Sequence, residues 1–234
     1  MSYEPPVPPS RVDPDEDAAL AGYRLAEEAG LLEGVTIDRW EALPESFCRD
    51  RELDRGRLIK RQSGTPGHQR AMRRLANALE SAARKAIAAG ESPCLVVDLD
   101  LDLRLWRVPA ATVRRPDVVV YRCLDEGEKL WASHALLVVE VVSPGSLATD
   151  TGRDQQRTGF ESKMSQYARA GIKHYWIVRL RADGSAIERI EQWRLVDEVS
   201  KYALESVWVV GGAGGGISTR WPFRIDISWS DLEF

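Results

Sequence analysis

The stretch "LLVVEVVSPGS", residues 136–146, puts an acid where an acid is expensive. Four apolar residues lead into Glu140, two valines follow, and the chain breaks at Ser143-Pro144-Gly145-Ser146. A strand this apolar on both of its faces belongs at the centre of a covered sheet. An ionised carboxylate buried there costs several kcal/mol unless a cation or a set of donors compensates it. Glu140 therefore either pairs with a buried arginine or serves a site.

Working outward, "VRRPDVVVYR" (113–122) is a second apolar strand, and Asp117 opens it directly after Pro116. An acid after proline at a strand start is commonly a turn acceptor. If the two strands are neighbours, however, Asp117 and Glu140 converge at one place on the sheet. Two carboxylates that share a site raise each other's pKa. A divalent cation removes that conflict, because Mg²⁺ takes oxygen ligands and is commonly held by one or two carboxylates.

The flanking pattern gives the fold class. Residues 17–34 read as a short helix ending at Gly30 or Gly34, and RGRLIKRQ (55–62) reads as a strand. HQRAMRRLANALESAARKAIAAG (68–90) repeats Met72, Leu75, Ala76, Leu79, Ala83 and Ile87 at helical spacing, and Gly90 stops it. CLVVDLDLDLRLW (94–106) reads as one long alternating strand with Asp98, Asp100 and Asp102 on one face. Residues 161–170 are helical with Gly171 as the cap, KHYWIVRL (173–180) is a strand, and short strands follow at 188–196, 202–210 and 223–228. This is an α/β (α+β) domain, a central mixed sheet flanked by helices.

The chain has 234 residues, 44% hydrophobic, with a formal net charge of −4. That charge argues against coating nucleic acid by bulk electrostatics and leaves room for a local basic groove. Cys48, Cys94 and Cys123 have no CxxC spacing, so reduced thiols are expected. There is neither a signal-peptide pattern nor a membrane-length apolar run, so a soluble cytoplasmic protein is expected. Residues 1–17, rich in proline and acid, read as a disordered tail, 18–42 as a helical extension, and 43–234 as the main domain.

Several other motifs have plain explanations. The Asp98/Asp100/Asp102 row reads as a solvated face, and GGAGGG (211–216) lacks the Lys-Ser/Thr of a P-loop. Ser143 and Ser146 have no GxSxG elbow. Structural or solvent roles account for His68 and His174, and packing for the eight tryptophans. Lys60, Arg61, Arg70, Arg73, Arg74, Arg114 and Arg115 are available to a phosphate backbone; Arg70, Arg73 and Arg74 permit a basic stripe on one helix, or simply a charged solvent face.

"RRPDVVVYR", "LLVVEVVSPGS" and "KMSQYARAGIKHYWIV" together resemble the restriction endonuclease-like family of the PD-(D/E)xK nuclease superfamily. "RELDRGRLIKRQSGTPGHQRAMRRLANAL" and the tail "WPFRIDISWSDL" are similar to the family's opening and closing segments, so the resemblance spans about residues 43–234. It implies a restriction-endonuclease-like core and an endonuclease that uses Mg²⁺ or Mn²⁺, on DNA rather than RNA, with a homodimer as the assembly to test. Carried over by residue, Asp117 and Glu140 would bind the metal with the carbonyl of Val141. Glu52 would complete the site through a water, and Lys163 would act on the attacking water and the scissile phosphate. The superfamily's usual lysine position is Val142 here, and the lysine has moved to the following helix. TGRDQQRTGFES (151–162) lies between Asp150 and Lys163 as an insertion, while the spacing Lys163…Tyr167…Gly171 is intact. Two other readings stay open: a nuclease-fold protein that binds nucleic acid or a partner without cleaving, and a metal-dependent hydrolase of another phosphodiester.

Overall fold

The apolar run Ala135–Val142 is a single strand with every position buried except Leu136. The computed structural model of the protein describes residues 14–61, 64–142, 161–212 and 214–234. In chain order the elements are α1 (Pro14–Glu28), α2 (Ile37–Ala42), α3 (Glu45–Cys48), β1 (Arg51–Asp54), β2 (Arg57–Lys60), α4 (Pro66–Ala88), β3 (Val96–Leu99), β4 (Leu103–Trp106), β5 (Thr112–Arg114), β6 (Val118–Tyr121), β7 (Ala135–Val142), α5 (Lys163–Arg169), β8 (His174–Leu180), β9 (Ile187–Val196), β10 (Lys201–Val209), β11 (Gly216–Thr219) and β12 (Ile225–Ser228).

The main sheet has the order β10-β9-β8-β7-β6-β3, with β7 and β8 parallel and the other neighbours antiparallel. β7 therefore sits inside the sheet, as its two apolar faces require. Leu75, Leu79 and Ala83 of α4 pack on one face with Val139, Val141 and Trp176, and Ile225 and Ile227 of β12 join them. Tyr167 of α5 packs on the other face with Val138, Val142, Tyr175 and Ile177. This is the central mixed sheet flanked by helices that the sequence predicts.

A second sheet, β2-β1-β5-β4, stands beside the first. The β1–β2 hairpin turns on Arg55 and Gly56, both at positive φ (51° and 77°), as a tight two-residue hairpin requires. Leu32, Val35, Ile37 and Trp40 share a core with Leu53 and Val113 of this sheet. Leu20, Tyr23 and Ala26 of α1, within the helical extension expected at 18–42, pack against the same core. Of the expected tail, residues 1–13 lie outside the described residues, and α1 begins at Pro14.

The structure corrects three expectations here. The long strand expected over 94–106 is two strands, broken at Asp100 (φ 50°), with β3 in the main sheet and β4 in the second. The strand expected over 113–122 breaks likewise at Arg115-Pro116-Asp117, because proline carries no N–H for the ladder. Both chains change sheets at this corner, so Asp98, Asp100 and Asp102 do not form one solvated row. Each is half-buried with its own donor: Tyr121, Arg61, and Trp40 with Arg115 respectively. Third, Cys94 and Cys123 form a disulfide with a Cα–Cα distance of 5.6 Å, while Cys48 is free and buried. The β3–β6 register, extended outward from Val96↔Tyr121, brings these two cysteines opposite each other across 29 residues of sequence. No helix among the described residues is long and apolar enough to cross a membrane.

Candidate active site

Where β6 begins and β7 ends, the register Val118↔Val139 carries one residue further to set Asp117 opposite Glu140. β6 has stopped by then, so the amide of Val141 has lost its ladder partner. The Asp117 carboxylate takes it instead, with Oδ2 accepting from Val141 N at 2.6 Å. Both acids are buried, Asp117 at 4% exposure and Glu140 at 2%.

A helix from each face closes on the pair. On the α4 side, Thr65 caps the helix by accepting from His68 N, and Pro66 starts it. That start places His68 Nε2 3.0 Å from Asp117 Oδ2. It also presses Gly67 against the β8–β9 turn, where a Cβ would stand 2.1 Å from the Gly184 carbonyl oxygen. Only glycine fits there. On the other face Ser162 caps α5, and Lys163 and Tyr167, one turn apart, both reach Glu140. Lys163 Nζ lies 3.2 and 3.3 Å from the two Glu140 oxygens, and the Tyr167 hydroxyl donates to Glu140 Oε1 at 2.9 Å. Burial pushes the Tyr167 hydroxyl well above its usual pKa, and the Glu140 charge adds to that, so it remains a donor. Glu140 thus has the cation and donor that its burial demands.

The second sheet supplies a third acid. Glu52 of β1, 3% exposed, has Oε1 3.3 Å from Lys163 Nζ and accepts there from Arg115 N at 3.0 Å. Its other oxygen accepts from Arg114 Nη1 at 2.9 Å. Burial raises its carboxyl pKa, but Lys163, Arg114 and the Arg115 amide outweigh that and hold it at about 2. Arg114 continues inward: its Nε donates to Gln166 Oε1 at 2.7 Å, and its Nη2 lies 3.2 Å from Asp54 Oδ1. Gln166 in turn donates to Asp54 at 2.8 Å. This buried circuit bolts α5 to β1 and β5 and fixes the height of Lys163.

The structure brings Glu52 of β1, Asp117 just before β6, Glu140 and Val141 of β7 and Lys163 of α5 together, and Lys163 is a buried group rather than a surface lysine. Two of the expected backbone-binding arginines are corrected. Arg114 is 2% exposed and spent on Glu52, Asp54 and Gln166, and Arg115 is turned inward to Asp102 and the carbonyl of Arg49. Arg70, Arg73 and Arg74 are exposed along α4. Asp54 and Arg114 are polar residues on buried strands and Gln166 is one on the buried face of α5, and nothing in the local pattern pairs them. His68, for which the sequence suggests a structural or solvent role, stands at the site, where Gly64-Thr65-Pro66-Gly67 marks a helix start that holds it close.

Among the described residues no three His, Cys, Asp or Glu side chains gather as a metal-binding group. What is present is a pair of buried carboxylates beside a backbone carbonyl. In an extended strand a residue's N–H and C=O point to the same side, so the Val141 carbonyl shares the edge of β7 that faces Asp117. These are all hard oxygen donors, a set that suits Mg²⁺ or Mn²⁺. Ser143, Ser146, Asp150 and residues 151–160 of the insertion lie outside the described residues.

Comparison with known proteins gives a family and a fold. Residues 40–207 match the family Uma2, described as "putative restriction endonuclease". The fold is similar to a crystal structure of a "putative nuclease belonging to DUF820" from Anabaena variabilis, with TM-score 0.54 over 85% of this chain and 97% of that one. At 13% sequence identity, that likeness speaks to the fold alone. No curated protein matches the chain.

Proposed function

Given that the chain belongs to the Uma2 family, we propose that it is a divalent-metal-dependent endonuclease that hydrolyses phosphodiester bonds of DNA. The observation that carries this reading is the convergence of Asp117, Glu140, Glu52 and Lys163, all buried, at the exit of β7. So much opposed charge is costly to assemble and contributes little to stability by itself, which favours a site over a structural role.

Asp117, Glu140 and the Val141 carbonyl would hold Mg²⁺ or Mn²⁺. The bound ion would activate water and neutralise charge on the phosphate. This chain's own residues do the rest. Lys163, fixed between Glu140 and Glu52, presents a cation where negative charge accumulates during in-line displacement. Tyr167 holds the Glu140 carboxylate in one orientation, and Glu52 holds the Lys163 ammonium in place. Arg70, Arg73 and Arg74 lie within about 9 Å along α4 from His68 at the site, which supports a phosphate backbone running past the helix start.

Supercoiled plasmid with Mg²⁺ or Mn²⁺ tests the reading. Wild type should nick it, and Glu140→Ala and Lys163→Ala should each lose at least about 10²-fold in rate. Duplex binding without cleavage by wild type under either metal would instead support a non-cleaving nuclease-fold protein.

A further inference from the structure

Beyond Glu140 on the same face of the sheet, two arginines share one buried acid. The register aligns Val142 of β7, Arg179 of β8 and Arg189 of β9 in one rung, and Glu140, Ile177 and Glu191 in the rung two residues back. Rungs two residues apart project the same way. Arg179 therefore stands on the Glu140 face, one strand across and two residues nearer the strand exits. Strand spacing and rise put the two backbones roughly 8 Å apart.

Glu191 Oε1 accepts from Arg179 Nε at 2.6 Å and from Arg189 Nε at 3.1 Å. Arg189 has one further contact, the half-exposed Glu188 at 3.6 Å. Arg179 is thus held through Nε, with its side chain 12% exposed. Its Nη2, however, is buried and has no hydrogen-bond partner among the described residues. A guanidinium N–H taken from water and given no acceptor is a standing cost, and an anionic oxygen is the acceptor that would remove it. The β8–β9 turn that follows Arg179 is the one packed on Gly67 at the start of α4, so this rung borders the candidate site.

We propose that Arg179 is a phosphate-binding residue for the substrate: Nη2 donates to a non-bridging oxygen of the backbone phosphate at or next to the scissile position, while Glu191 and Arg189 hold the guanidinium plane. This deepens the nuclease reading above and rests on it. Arginine suits the task because its rigid fork stays charged and matches phosphate geometry.

The test is fluorescence anisotropy of a labelled DNA duplex with the full chain, Ca²⁺ replacing Mg²⁺, across a series of salt concentrations. Arg179→Gln should bind roughly tenfold or more weaker. Its slope of log affinity against log salt should be shallower by about one unit, since one phosphate contact is gone. Arg179→Lys should regain the slope but not the full affinity. If Arg179→Gln lowers the melting temperature, the neutral double variant Arg179→Gln/Glu191→Gln gives the same readouts on a balanced rung. Affinity within twofold of wild type and an unchanged slope in the folded variant would overturn the assignment and leave the nuclease reading standing. A wild type that neither binds nor cleaves duplex would overturn both.

Discussion

Glu52 should contribute a pH-dependent share of stability that can be read separately. Its ordinary carboxyl pKa of 4.5 falls to about 2 in the folded chain, where burial is outweighed by Lys163, Arg114 and the Arg115 amide. A depressed folded pKa means stability that is fully present above 4.5 and lost as pH falls toward 2. Between pH 5 and pH 3 the unfolded chain takes up the proton while the folded one resists it. That interval removes about 2 kcal/mol of the Glu52 contribution by linkage. The assay is urea unfolding in metal-free buffer at pH 5, 4 and 3, followed by tryptophan fluorescence. Glu52→Gln cannot titrate, so wild type should lose about 2 kcal/mol more than the variant over that range. Equal pH dependence in the two proteins would refute the buried ion-pair account of Glu52.

Three further outcomes follow from the same geometry. Arg114→Met should cost about 3–5 kcal/mol, seen as a large drop in melting temperature, because Glu52 and Asp54 lose their buried cation. Tyr167→Phe should cost about 1–3 kcal/mol by urea titration, since Glu140 Oε1 loses a buried donor while Lys163 remains. Reduction of the Cys94–Cys123 bridge should destabilise wild type by about 3.6 kcal/mol, the value for a loop of that size, whereas Cys94→Ser should not respond to reductant.

The resemblance in motif order named the family, and it led to Asp117, Glu140, Lys163 and Glu52 as one set. Elementary pattern reading went less far. It found α4 from its apolar spacing, because a helix repeats every 3.6 residues whatever lies around it. It placed β7 at the sheet centre, because a run with no polar face must be covered on both sides. It also identified Glu140 as a charge in need of a partner, since desolvation depends on the strand's own composition.

Only the tertiary structure decided which partner. Lys163 and Tyr167 are 23 and 27 residues from Glu140, and Gln166 is 112 from Asp54, so no local period reports their meeting. The same holds for Arg114 and Arg115, indistinguishable in sequence from surface arginines until the β5 corner turns both inward. It holds for Cys94 and Cys123, joined by the register of β3 on β6, and for His68, which the glycine contact at Gly184 helps seat beside Asp117. Local structure is set by repeats a few residues long, and those are written in the chain. A site is set by where strands stop and which neighbours they pair with, and that is decided only when the sheets form.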